Sequence, residues 1–178
     1  MFKNLKQDIK RYWTNPKDPK NLYLIFEPGL WSLFAYRFSA WAHHIKIPVI
    51  NWVFRAVAFI AAKAIEAVTH ISIPGNVKIG PGLYIGHGGP IIINYDARLG
   101  SHCSVGTGVI IGTRGVGNVG SPTIGDHVYI GVGAKILGKI TIGSHVKIGA
   151  NAVVIKDVPD GATAVGVPAR VIQRESKG

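Results

Sequence analysis

The sequence predicts a mainly β chain, a parallel β-helix built from hexapeptide repeats, behind a short α-helical N-terminal segment. Three observations predict it. Large aliphatic residues recur at every sixth position, as Ile124, Ile130, Ile136, Ile142, Ile148 and Val154. A companion row runs two positions earlier, through Val128, Ala134, Ile140, Val146 and Ala152. The first seventy or so residues lack this period and carry helical spacing instead.

A helix repeats every 3.6 residues and a strand every two, so neither yields a period of six. A coil of three short strands and three corners does, with each recurring aliphatic pointing inward onto its equivalent one coil away. Gly follows many of the large positions, as in Ile124-Gly125, Ile130-Gly131, Ile142-Gly143 and Ile148-Gly149, where tight corners need a small residue. Upstream the rows continue as Ile93, Leu99, Val105 and Ile111, with Ile91, Ala97, Cys103 and Val109 beside them. Cys103 is thus read as a small core filler rather than a nucleophile.

The period breaks twice. Ile79 and Ile85 are six apart, but Ile85 and Ile93 are eight apart. Two residues have entered one coil, and His87 lies among them in "YIGHGGPIIIN". Ile111 and Ile124 are thirteen apart, where twelve would keep phase, and "TRGVGNVGS" between them lacks inward aliphatics. Residues 113–123 therefore read as a loop on a rigid scaffold, where ligands are commonly gripped.

Residues 1–70 form the expected helical segment, 71–172 the β-helix and 173–178 a tail. "NPKDPKN" reads as a turn-rich break, followed by a helix with Leu30, Leu33, Phe34, Phe38 and Trp41 as its apolar stripe. Pro48 reads as an interruption before a second helix from Ile50 to Val68. That helix is too apolar to define one narrow face. Packing on the domain or on other subunits is its first reading. Attachment in a membrane interface, with Arg and Lys toward the headgroups, is the second.

The 178 residues suit one main domain with a modest appendage, and 47% hydrophobic composition argues against disorder. A single Cys excludes an internal disulfide framework and fits a reducing, cytoplasmic setting. "MFKNLKQDIKRYW" does not read as a secretory signal, and Arg55, Lys63 and Glu66 argue against a spanning helix. A formal charge of +11 calls for an anionic partner: nucleic acid, a membrane surface or a phosphorylated cofactor. Nucleic acid is disfavoured, because the basic residues are scattered and no basic motif interleaved with aromatics occurs.

"GAKILGKITIGSHVKIGANAVVIKDVP" and "VGVPARVI" resemble serine acetyltransferase and related hexapeptide-repeat acyltransferases over about residues 71–172. The resemblance implies a left-handed coil, although right-handed crossovers are the general preference. It also implies a homotrimer with acetyl-CoA bound between neighbouring subunits. His87 matches the family histidine that takes the proton from the acceptor hydroxyl, a task suited to a base near neutral pKa. Backbone N–H groups of a glycine-rich segment would stabilise the oxyanion. Ser72, Asn94 and Asp96 are candidate partners for His87, and a backbone carbonyl is another; Asn94 and Asp96 are carried forward with it as catalytic candidates. Positions aligned with the cofactor groove are Gly112, Thr113, Gly131, Ala134 and Gly149. Lys135, Lys156 and Arg170 could neutralise CoA phosphates, and Arg114 could meet cofactor or acceptor. His102, His127 and His145 read as corner residues, and no histidine spacing suits a metal.

Three departures bear on the acceptor. The Asp that precedes the family's base is Gly86 here, its carboxylate partner aligns with Ser72, and its "RHP" element aligns with Gly120, Ser121 and Pro122. Serine brings an ammonium and a carboxylate that need opposite charges. The expectation is therefore an acetyl-CoA-dependent O-acetyltransferase acting on a sugar hydroxyl of bacterial exopolysaccharide or envelope polysaccharide. "IGTRGVGNVGSPTIG" resembles the loop of the colanic-acid-type branch. Serine O-acetylation for cysteine synthesis is the alternative, and a non-catalytic trimeric scaffold is the alternative outside enzymes. Basic, aromatic N-terminal helices would suit peripheral work at the inner membrane.

Overall fold

The computed structural model describes residues 2–13, 24, 26–115, 117 and 119–173. The "NPKDPKN" break and positions 174–178 of the tail lie outside the described residues. Three helices come first: α1 (Phe2–Tyr12), α2 (Pro28–Ala42) and α3 (Pro48–Thr69). Pro28 and Pro48 each sit in a first helical turn, where a missing N–H is not needed. Pro48 thus opens the second long helix instead of interrupting the chain before it.

The strands follow in chain order as β1 (Ile71–Ser72), β2 (Lys78–Ile79), β3 (Tyr84–Ile85), β4 (Ile91–Ile93), β5 (Arg98–Leu99), β6 (Ser104–Val105), β7 (Ile110–Gly112) and β8 (Thr123–Ile124). They continue as β9 (Tyr129–Ile130), β10 (Lys135–Leu137), β11 (Thr141–Ile142), β12 (Lys147–Ile148), β13 (Val153–Val154), β14 (Thr163–Gly166) and β15 (Ala169–Ile172). Through β13, every third strand joins the same sheet. One sheet runs β1-β4-β7-β10-β13, a second β11-β8-β5-β2, and a third β15-β14-β12-β9-β6-β3. All pairings are parallel except the closing β14–β15 hairpin. Ile85, Ile91, Ile111, Ile130, Ile136 and Ile148 are wholly buried along the axis. Ile140 of the companion row is only partly buried.

Register locates both breaks. Ile71 pairs with Ile91 and Tyr84 with Ser104, 20 residues on, whereas Ile92 pairs with Ile110, 18 on. The two extra residues lie in the corner Gly86–Pro90, which holds His87. Arg98 pairs with Thr123, 25 residues on, while Thr123 pairs with Thr141, 18 on. The loop therefore adds seven residues to a single corner between β7 and β8. Counting from twelve understates it, because no named strand lies among the described residues between Gly112 and Thr123 and six is the step to keep.

The expected stripe on α2 is split: Phe34 stays exposed, and the other four residues divide between two partners. Leu30 and Leu33 are buried with the β-helix core, joined by Tyr36. Phe38 and Trp41 turn instead to Phe54 of α3, with ring centroids 6.4 and 5.4 Å away.

The first coil would otherwise leave β2 and β3 with open edges, and unpaired backbone groups are costly to bury. Side chains from α1 and α2 fill that role. Asp8 Oδ1 accepts from the N–H groups of Gly82 and Leu83 at 2.8 and 2.9 Å. Arg37 donates to the carbonyls of Ile79 and Gly80 and pairs with Asp8. Tyr36 Oη donates to the Val77 carbonyl at 2.8 Å. Tyr12 Oη both donates to the Ile85 carbonyl and accepts its N–H, each at 3.0 Å. Gly29 lets α2 come this close, since a Cβ there would lie 2.5 Å from the Ile85 oxygen.

Candidate active site

The His87 corner is fixed from three directions. From the next coil, the Val105 carbonyl accepts the Gly86 N–H at 3.1 Å, and Thr107 Oγ1 donates to the Gly88 carbonyl at 3.2 Å. The last carbonyl of α3, on Thr69, accepts the Gly89 N–H at 3.1 Å. At the start of α2, Pro28 packs so closely that a Cβ on Gly88 would come within 3.2 Å of its ring. A Cβ on Gly89 would run into Thr107, so a larger residue there would displace the corner.

His87 has φ 64°, a left-handed conformation in which histidine is among the better tolerated non-glycine residues. Its ring is exposed on the protomer. No hydrogen bond ties it to the other described residues, so both nitrogens are open to a ligand. His102, His127 and His145 adopt the same backbone conformation at successive coils, with rings stacked 5.0 and 4.9 Å apart. Their corner role follows from that ladder, which His87 does not join.

Asn94 and Asp96 are not brought to His87 within the chain. They occupy the next corner, beyond β4, whose three residues span about 10 Å. Asn94 Oδ1 accepts the Asp96 N–H at 3.1 Å and shapes that turn. Ser72 lies beside Glu66 of α3 instead, close enough to favour its ionised carboxylate. Burial pushes Glu66 upward, but the Lys63 ammonium at 2.8 Å and the nearby Ser72 hydroxyl outweigh it and hold its carboxyl below the usual range.

The expected cofactor residues separate into groups. Gly112, at the end of β7, stacks over Asn94, whose Cβ would be 3.6 Å from an added Cβ. Thr113 and Arg114 follow it, both exposed, with the Arg114 Cβ 3.5 Å from a Cβ built on Gly138. These residues share one corner at the root of the loop. Gly131 and Gly149 are small for another reason: an added Cβ would lie 2.7 Å from the Ala150 nitrogen and 2.7 Å from Val165 Cγ1. Coil stacking alone requires glycine at 131, where backbone is met; at 149 the obstacle is the Val165 side chain. Ala134 is fully buried, so its methyl belongs to the core and cannot touch a cofactor. Lys135 Nζ donates to the carbonyls of Gly108 and Gly133 at 2.8 and 2.7 Å, bound across two coils instead of reaching outward. Lys156 and Arg170 are exposed and free to meet phosphate.

In the segment aligned with "RHP", Ser121 Oγ is sheltered and has no hydrogen-bond partner among the described residues. Such a group calls for a water or a ligand. Sequence reasoning also missed Thr69, Thr107 and Pro28, which hold the His87 corner. Nothing in their spacing marks them, because each acts from a different element. Asp8 had a faint signal as the one acid in an otherwise basic α1.

Residues 121–156 match the family model described as bacterial transferase hexapeptide (six repeats). Serine acetyltransferase of Synechococcus elongatus is 33% identical over 177 residues, covering 98% of this chain and 70% of the relative. Serine acetyltransferase of Helicobacter pylori is 37% identical over 153 residues, covering 85% of each. Serine acetyltransferase of Brucella abortus in complex with coenzyme A superposes with a TM-score of 0.81 at 27% identity, covering 97% of this chain and 67% of that one. These relatives carry the serine enzyme's name, not that of an exopolysaccharide acetyltransferase.

Proposed function

Because this chain belongs to the serine acetyltransferase family, we propose that it is an acetyl-CoA-dependent O-acetyltransferase with His87 as general base. The observation that carries this reading is the His87 corner. A two-residue insertion, clamped by Thr107, Thr69 and Pro28, presents an imidazole with no hydrogen-bond partner among the described residues. An inert coil has no use for such a clamp. Acetyl-CoA supplies the acyl group, and CoA is bound by the Brucella relative. The residues present fit it: a corner where buried Gly112 leaves room for a further atom beside exposed Thr113, with exposed cations at Arg114, Lys156 and Arg170. The family's left-handed coil and homotrimer would bring that corner of one protomer toward His87 of its neighbour. His87 takes the hydroxyl proton as the oxygen attacks the acetyl carbonyl, then returns it to the departing sulfur. The reading includes no metal.

The relatives' names favour serine as the acceptor. One set of observations favours a second reading, a sugar hydroxyl of an envelope polysaccharide. Gly86 and Ser72 have no carboxylate, and the sheltered Ser121 hydroxyl offers a neutral hydrogen bond where the family has a cationic element. A polyhydroxyl acceptor needs no countercharge, whereas an amino acid leaves two charges to be met. Thiol release from acetyl-CoA, followed with serine and with sugar or oligosaccharide acceptors, separates the two. Turnover with serine alone removes the carbohydrate reading, and no acceptor-dependent release with any hydroxyl compound removes both.

A further inference from the structure

The most apolar 18-residue window of α3 has a mean hydropathy of 1.5, yet only 6% of that window is buried. One side is covered, by Ala58 against the protein and by Phe54 edge-on to Trp41. Elsewhere Val49, Trp52, Val68, Ile60 and Phe59 are 75, 73, 70, 68 and 62% exposed. Val49 and Ile60 lie eleven residues apart, about three turns along one side. Over a helix about 33 Å long, this strip exceeds what soluble monomers usually leave open.

Charge selects the occupant. The only acid on α3 is Glu66, which Lys63 holds at 2.8 Å. With Lys63 and Glu66 offsetting each other, Arg55 and the preceding Lys46 leave this stretch positive, within a chain of net charge +11. A second copy of this face would set cations against cations, whereas an anionic bilayer sets phosphates against them. Crossing the bilayer is disfavoured, since α3 is packed along one flank on α2, carries Arg55 in its first half and Lys63 and Glu66 in its second, and runs directly into β1.

We propose that α3 is an in-plane anchor for an anionic lipid surface, with Val49 and Ile60 facing the acyl region. The inference is independent of the acceptor. It has a consequence for it, because α3 ends at Thr69, whose carbonyl holds the His87 corner through Gly89. Anchoring keeps that corner close to the membrane.

The test is sedimentation of the full chain with vesicles of phosphatidylcholine alone and with about one quarter phosphatidylglycerol. We expect binding to the anionic vesicles, weakened about tenfold or more by removing phosphatidylglycerol or adding salt. Val49→Glu with Ile60→Glu should lower binding at least about tenfold while melting temperature, molecular mass and thiol release with a soluble acceptor stay as in the parent. No sedimentation of the parent chain with anionic vesicles overturns the proposal. So does a fall in mass of the variant with unchanged vesicle binding, which would assign α3 to a second copy.

Discussion

Asp8 and Arg37 form a buried ion pair, Nε to Oδ2 at 2.8 Å, with side chains 0 and 4% exposed. The pair is bound to the first coil on both sides: Asp8 takes two backbone N–H groups, and Arg37 gives to two carbonyls. It stands where a further coil would otherwise have to cap the solenoid. Removing one partner leaves the other charged, buried and unmatched. Asp8→Ala should lower unfolding free energy by about 3–5 kcal/mol, read from urea midpoints. A loss under 1 kcal/mol would mean that the cap does not depend on the pair.

Two glycines aligned with the cofactor groove should respond differently. Gly131→Ala forces a methyl against the Ala150 backbone at 2.7 Å, so it should destabilise the fold by about 1–3 kcal/mol. Gly112→Ala meets only Asn94 at 3.6 Å and should keep the melting temperature. If Gly112 borders the acyl donor, that variant raises KM for acetyl-CoA while stability is unchanged. Equal KM in parent and variant would remove Gly112 from the groove.

Burial raises the Tyr12 and Tyr36 phenols and the Cys103 thiol above their ordinary values. The folded chain thus keeps protons that the unfolded chain has lost, and stability must fall as pH rises. The contribution is complete below the ordinary thiol and phenol ranges and declines above about pH 8.5–10. Urea midpoints between about pH 8 and pH 11 should fall steadily. Tyr12→Phe should flatten part of that slope. It should also cost about 1–3 kcal/mol at neutral pH, because the Ile85 N–H and carbonyl lose their shared partner. A midpoint that rises through the alkaline range contradicts this.

The coil was legible because stacking imposes one strict period: each inward aliphatic must meet its equivalent, so Ile124 to Val154 betray the prism directly. His87 was legible as an interruption of that period, and the register confines it to one corner. The size of the second insertion was not legible. A glycine-rich loop carries no phase, and only the pairing of Arg98 with Thr123 counts its seven extra residues. The N-terminal cap was hidden because its members act across distance. Asp8 lies 29 residues from Arg37 and 75 from Leu83. The α2 stripe was read as one face because spacing gives direction but not the neighbour, and Trp41 turned to Phe54. Asn94 and Asp96 were drawn to His87 by nearness in sequence, which β4 cancels.

Acyl transfer by a His87→Asn variant tests the account most directly. Asparagine accepts the left-handed backbone at φ 64°, so the corner should remain and only the base be lost. Acceptor-dependent thiol release should fall by about 10²–10⁴-fold, with melting temperature and acetyl-CoA binding as in the parent. Release within a few-fold of the parent would contradict the account, leaving His87 as a corner residue and the base elsewhere.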